Sequence, residues 1–148
     1  MLDFFYFFVY TFPVSKKNIS ESKPQPTVVI VEDEAIVALD LRMTLSRLGY
    51  KVLDVVNNGS DAVMKVLSLK PDVVIMDIIL QGVMDGIEAA WHIRGQSSVP
   101  IIFSTANADE ATLVRTKGIE DAFVVLKPVD RYLLMKTLNT IFSDSGAV

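Results

Sequence analysis

Five side chains of this sequence stand where short apolar runs end: Glu32 and Asp33 after Thr27 to Val31, Asp77 after Val73 to Met76, Thr105 after Pro100 to Phe103 and Ser104, and Lys127 after Ala122 to Leu126. Three acids, one hydroxyl and one amine are a set with chemical potential if they meet. Carboxylates packed together raise one another's pKa unless a cation neutralises them, so the set predicts a divalent metal. Oxygen-only ligands with places left for water favour Mg²⁺ over Ca²⁺. A carboxylate beside such an ion can attack a phosphoryl group as an aspartyl nucleophile, with the metal and a lysine offsetting charge on the phosphoryl oxygens. Lys127 suits that charge and Thr105 suits a hydrogen bond. Plainer readings fit the same residues: Asp77 could cap the loop that follows it, and Lys127 could simply neutralise Asp77 in a salt bridge.

The elements must bring these residues together. Pro71-Asp72-Val73-Val74-Ile75-Met76-Asp77 reads as a strand buried on both faces of a parallel sheet, delivering Asp77 to its C-terminal edge, where open α/β sheets bind ligands. Thr27 to Val31 is a strand of the same kind. The helix after it is marked by Val37, Leu41, Leu45 and Leu48 and stopped by Gly49. Val52 to Val56 makes a further strand. Asn57-Asn58-Gly59-Ser60 then turns into a helix with Val63, Val66 and Leu67 on its apolar side, Ser60 or Gly59 being the expected N-cap.

After Asp77 come a loop, Ile78 to Met84, and a helix over about Asp85 to Gly95 expected to bury Ile87, Ala90 and Trp91. Val99 to Phe103 is the fourth strand, Glu110 to Lys117 an amphipathic segment, Ala122 to Leu126 the fifth strand, and Leu134, Leu138, Ile141 and Phe142 mark a last helix. Five repeats of strand then helix imply an α/β fold, a doubly wound parallel sheet with helices on both faces. In a flavodoxin-like 2-1-3-4-5 order the second strand lies at the edge, which fits its contributing no polar group to the shared rim.

Composition agrees with one globular domain. Of 148 residues, 51% are hydrophobic and 22% charged, enough for a core and too apolar for general disorder. A net charge of −4 without a basic stripe argues against nucleic acid as the main partner. The absence of cysteine excludes a disulfide framework, and a single histidine makes a His/Cys metal site implausible. Residues 1–26 are expected to be a poorly ordered tail and linker, 27–142 the domain and 143–148 a C-terminal tail. The aromatic run of the first 13 residues is too short for a spanning helix, which needs about 20 residues, and it lacks the basic start of a secretory signal. A start codon assigned too far upstream, a segment packing on the domain or a partner, and a weak membrane-surface anchor all fit it. Membrane contact is the least favoured, because no basic face accompanies the run.

Within 27–142 the sequence resembles the receiver domains of two-component response regulators. Five pieces carry the resemblance in order: Val28 to Glu34, Pro71 to Asp77, Met84 to Ala90, Pro100 to Ala106 and Leu126 to Asp130. It implies that Asp77 accepts a phosphoryl group from the phosphohistidine of a sensor histidine kinase or histidine phosphotransfer protein, in the cytoplasm. It implies that Asp33 and Asp77 bind Mg²⁺ directly, that Glu32 helps, and that the backbone carbonyl of Ile79 completes the protein ligands. Thr105 and Lys127 would hold the phosphoryl oxygens. The fourth helix, fifth strand and fifth helix would then rearrange as a bistable face that meets a downstream protein target or forms a homodimer. No enzymatic activity is expected beyond the chain's own phosphorylation and dephosphorylation. The stretch after Lys127 suffices for one helix and a tail, so the expectation is a stand-alone receiver without an output domain.

Three departures from the usual family pattern stand out. The loop after Asp77 is one residue longer and lacks a central proline, with Gly82 expected to supply the turn; a similar variant occurs in receivers attached to sensor kinases. Val124 stands three residues before Lys127, where an aromatic is frequent, so the switch residue is Phe123 or there is none. Ile79 is apolar where the family's side chain influences attacking water, which implies slow self-dephosphorylation. Three alternatives remain. A phosphatase or phosphotransferase with an aspartyl nucleophile usually carries a second acid two residues on, where Ile79 stands. A flavin- or nucleotide-binding relative of the fold should carry a glycine- or hydroxyl-rich loop where Glu32-Asp33-Glu34 stands. An interaction module with the receiver fold that works without phosphorylation would look the same in sequence.

Overall fold

The structure is a computed structural model that describes residues 23–144. The aromatic run and most of the linker lie outside the described residues. Five parallel strands form one sheet in the order β2-β1-β3-β4-β5: β1 (Thr27–Val31), β2 (Lys51–Val56), β3 (Val73–Asp77), β4 (Ile101–Thr105) and β5 (Ala122–Leu126). They alternate with helices α1 (Ala35–Arg47), α2 (Gly59–Leu69), α3 (Gly86–Arg94), α4 (Glu110–Thr116) and α5 (Arg131–Asp144). This is the flavodoxin-like arrangement the strand and helix order implied. No helix of the described residues is long and apolar enough to cross a membrane.

Strand alternation divides the core in two. Val29, Val31, Val74, Met76, Ile101 and Phe103 face α2 and α3, packing with Ala62, Val66, Ile87, Ala90 and Ile93. Val28, Ile30, Val73, Ile75, Ile102 and Val125 face α1 and α5, packing with Leu41, Leu45, Leu134 and Leu138. Every residue of β3 and β4 is buried, as central strands covered on both faces require. A buried Val, Ile or Leu contributes on the order of 2 kcal/mol, so this double layer is what holds the rim in place.

Several local expectations are corrected. The N-cap of α2 is Asn58, whose side chain accepts from the Asp61 N–H at 2.9 Å, and neither Gly59 nor Ser60 fills that role. Asparagine caps as well as serine does, and it stands one residue before Gly59 and two before Ser60. The residues α2 buries best are Ala62 and Val66, with Val63 and Leu67 half-buried. Strand β4 spans Ile101–Thr105, so Val99 and Pro100 precede it and Ser104 and Thr105 lie within the ladder. Trp91 is 48% exposed. Its ring lies across Gly118 at the end of the α4 turn, where a built Cβ would come within 2.9 Å of it, so it sits at the margin between α3 and α4.

Candidate functional site

The rim at the C-terminal ends of β1, β3, β4 and β5 carries the predicted residues. Asp77 is the last residue of β3 and Glu32 follows β1 directly; both are buried, Glu32 with 2% of its surface exposed. Lys127 reaches across from beyond β5 and places its Nζ 2.8 Å from Asp77 Oδ2 and 2.8 Å from Glu32 Oε2. The remaining oxygens are held by backbone: Asp77 Oδ1 accepts from the Ile79 N–H at 3.1 Å, and Glu32 Oε1 accepts from the Glu34 N–H at 3.0 Å. Asp33 is half-buried and accepts from the Gln81 N–H at 3.2 Å, which ties the first acidic loop to the loop after Asp77.

Electrostatics follow from burial. Removing Glu32 from water pushes its pKa up, and the negative charge of Asp77 adds to this; Lys127 and the Glu34 N–H oppose it without cancelling it. Burial alone would depress the Lys127 ammonium, but its bonds to Asp77 and Glu32 outweigh that and raise its pKa. Lys127 is therefore the resident counterion of two buried acids.

The donor set fits a hard divalent cation. One ligand oxygen each from Glu32, Asp33 and Asp77 lies within 4.8 Å of the others. Beyond its ion pair with Lys127, Glu32 Oε2 is buried without a hydrogen-bond partner. An oxygen-only set of this kind, partly open to water, suits Mg²⁺.

Loop geometry makes this convergence possible. Gly86 opens α3 directly under Asp77: a Cβ there would lie 2.0 Å from the Asp77 carbonyl oxygen, and the Gly86 N–H donates to the Ile78 carbonyl at 2.8 Å. Gly82 supplies the turn at φ +103°, as the lengthened loop required. Asp85 caps α3 through a capping box with Glu88. The Lys127–Pro128 peptide is cis.

Two of the predicted residues stand apart from the ion-paired centre. The Thr105 hydroxyl is turned into its own loop, donating to the Asn107 carbonyl at 2.8 Å and accepting from the Asn107 N–H at 3.2 Å. The Ile79 side chain points outward, 72% exposed, while its backbone stays beside Asp77 through the N–H contact. On β5, Val124 pairs with Phe103 and shares the sheet face of Phe103 and Thr105. Phe123 pairs with Ile102 and packs on the opposite face, against the α5 side. No aromatic of β5 therefore stands on the face of Thr105. One buried polar residue of this rim carried no sequence signal: Ser104, the registered neighbour of Asp77.

Comparison with known proteins agrees with this geometry. Residues 28–139 match the family described as the response regulator receiver domain. The transcriptional regulatory protein ResD of Bacillus subtilis is 35% identical over 116 residues, a match covering 75% of this chain and 47% of that protein. The chain thus spans about half the length of ResD, whereas its match to the protein PilH of Pseudomonas aeruginosa, 32% identical over 121 residues, covers 78% of this chain and 97% of PilH. Among solved structures, the signal receiver domain of a modulated diguanylate cyclase from Desulfovibrio desulfuricans superposes with a TM-score of 0.74 at 37% identity, covering 80% of this chain and 94% of that one. The receiver domain of a sensor histidine kinase from Pseudomonas aeruginosa, solved with a magnesium ion coordinated in its active site cleft, gives 0.72 at 30% identity, covering 80% and 98%. With the match spanning all five strands and the rim they carry, the chain belongs to the response regulator receiver-domain family of two-component systems.

Proposed function

We propose that this chain is a phosphoacceptor receiver in which Asp77 takes a phosphoryl group from a phosphohistidine. The observation that carries the reading is the single ammonium of Lys127 held 2.8 Å from both Asp77 and Glu32 at the strand-end rim, with Asp33 completing a cation-sized acidic cluster. Glu32, Asp33, Asp77 and the Ile79 carbonyl would hold Mg²⁺; the related sensor-kinase receiver was solved with a magnesium ion coordinated in its active site cleft. When bound, the ion offsets charge on the phosphoryl oxygens and on the acids around it.

The chain's own residues do the rest. One oxygen of the Asp77 carboxylate attacks phosphorus, the P–N bond breaks, and the departing imidazole keeps the bonding pair and is reprotonated. Lys127, released from its acids, offsets charge on the transferred group. Thr105 would leave Asn107 to donate to a phosphoryl oxygen. That exchange of partners is the local event biasing α4, β5 and α5. With Val124 on the face of Thr105, the switch works without an aromatic rotamer on β5.

The phosphodonor would be a sensor histidine kinase or a histidine phosphotransfer protein. Exposed Ile36 on α1 lines a groove that runs past Glu34, Val37, Asp40 and Leu41 to Lys127, Pro128 and Val129, a largely apolar surface near the reacting carboxylate, and Leu39 and Met43 are exposed on the same helix. Exposed Val114, Leu126, Tyr132 and Leu133 on the α4-β5-α5 side support a downstream protein target or a second copy of the chain there. Ile79, beside Asp77 and unable to orient water, supports slow self-dephosphorylation. Ile79→Asn should shorten the aspartyl-phosphate half-life, and an unchanged half-life counts against the idea.

Intact-mass spectrometry with Mg²⁺ and acetyl phosphate tests the central reading. One phosphate adduct of about 80 Da, absent with EDTA and in Asp77→Asn, is expected. A folded, Mg²⁺-binding protein that gains no adduct and fails to bind beryllofluoride would instead be a phosphorylation-independent interaction module.

A further inference from the structure

Ser104 is 1% exposed, and its hydroxyl has no hydrogen-bond partner. A buried hydroxyl left unsatisfied is costly, and a native fold seldom keeps one without use. Its position is specific. In the ladder Ser104 pairs with Asp77 on one side and with Val125 on the other. Ile75, Ile102 and Val125 share the core face toward α1 and α5. Side chains alternate along a strand, so Asp77 and Ser104, two residues further on, share that face, and Lys127 continues its phase beyond Val125.

The sheet order places β4 between β3 and β5. A lysine that starts beyond β5 and ends on Asp77 of β3 and on Glu32 beyond β1 must cross the end of β4. Ser104 is the buried residue of β4 on that side.

We propose that Ser104 is a positioning residue for Lys127, its hydroxyl accepting an ammonium N–H when Glu32 and Asp77 turn to a divalent cation. The proposal rests on the phosphoacceptor reading above. An ammonium has three donors, and the two contacts of Lys127 are to the acids that a cation would claim. The lysine side chain is only 15% exposed, so it needs an acceptor within the site. A carboxylate acceptor would compete for the cation; a hydroxyl does not. The Thr105 hydroxyl is engaged by Asn107, whereas that of Ser104 is unspent.

The test compares Mg²⁺ affinity by calorimetry with urea stability measured without metal. Ser104→Ala should weaken Mg²⁺ binding about ten- to a hundredfold, the scale of one hydrogen bond to a charged group. Its metal-free unfolding midpoint should equal or exceed that of the wild type, because a partnerless hydroxyl has been removed. In a Lys127→Met background the same substitution should leave Mg²⁺ affinity unchanged. Unaltered affinity in Ser104→Ala, an equal loss in the Lys127→Met background, or a parallel loss of metal-free stability overturns the proposal. A wild-type chain that binds no Mg²⁺ overturns the site reading and the proposal with it, whereas wild-type binding matched by Ser104→Ala overturns the proposal alone.

Discussion

Helices α3 and α4 start alike and are held very differently. Each is N-capped by an aspartate whose side chain accepts from a backbone N–H three residues on: Asp85 from Glu88 and Asp109 from Thr112, both at 2.8 Å. From there they diverge. The nine residues of α3 bury Gly86, Ile87, Ala89, Ala90 and Ile93, whereas the seven of α4 bury only Thr116 and leave Leu113 and Val114 exposed. What joins the two is polar or marginal: an Arg115–Asp85 ion pair and the Trp91 ring against Gly118. A helix anchored by apolar burial is fixed, while one anchored by a cap and an exposed ion pair opens at low free-energy cost. The loop beneath Asp77 thus rests on the more firmly packed helix, and its neighbour is the more loosely held.

That contrast can be broken at its strongest point first. Gly86→Ala drives a Cβ into the Asp77 carbonyl and should destabilise the fold by about 3 kcal/mol or more while weakening Mg²⁺ binding, whereas Gly95→Ala, whose nearest contact is 3.4 Å, should fold nearly normally in the same urea titration. Next, Ile93→Ala should cost about 3 kcal/mol in equilibrium unfolding, against less than about 0.5 kcal/mol for Leu113→Ala on α4. Comparable losses would mean that α4 is packed as firmly as α3.

Smaller effects sharpen the picture. Asp85→Ala removes a capping box as well as the partner of Arg115 and should cost about 1 kcal/mol, while Arg115→Ala, losing a half-exposed pair, should cost less than about 1 kcal/mol yet speed amide exchange in α4. The smallest expected change is a pH effect on α4 alone. Its cap, Asp109, is held below the ordinary 3.8, first by the Thr112 backbone N–H. The charged cap's contribution is therefore complete above that value and is lost as pH falls through the lowered one. Amide exchange in α4 should accelerate there, and Asp109→Asn, which caps without titrating, should abolish the acceleration.

Much of this architecture was legible in the sequence. Runs such as Val28 to Val31 and Val73 to Met76 are apolar at every position because both sheet faces are covered, so strands and their order of succession could be read directly. The rim residues Glu32, Asp33, Asp77 and Lys127 followed from standing at strand ends. Legibility failed where a neighbour distant in the chain decides, and where adjacent residues are equally able to cap. Trp91 looked like core because it continues the apolar phase of α3, yet what lies opposite it is the open margin beside Gly118. Asn58 took the cap because its side chain meets the Asp61 N–H, a matter of local backbone that Asn, Gly and Ser all leave open.

The sequence by itself determined the alternation of strands and helices and the chemical types that line the rim, because apolar periodicity and strand ends are local properties of the chain. Only the tertiary structure decided that one lysine serves both Glu32 and Asp77, that Thr105 is engaged by Asn107, that Val124 and not Phe123 shares the face of Thr105, and that Ser104 is buried beside Asp77 without a partner. Apart from the Thr105 contact, which closes on a residue two positions along the same loop, each depends on which strand lies beside which and on the phase of its pleat. Those relations are set by packing between segments far apart in the chain.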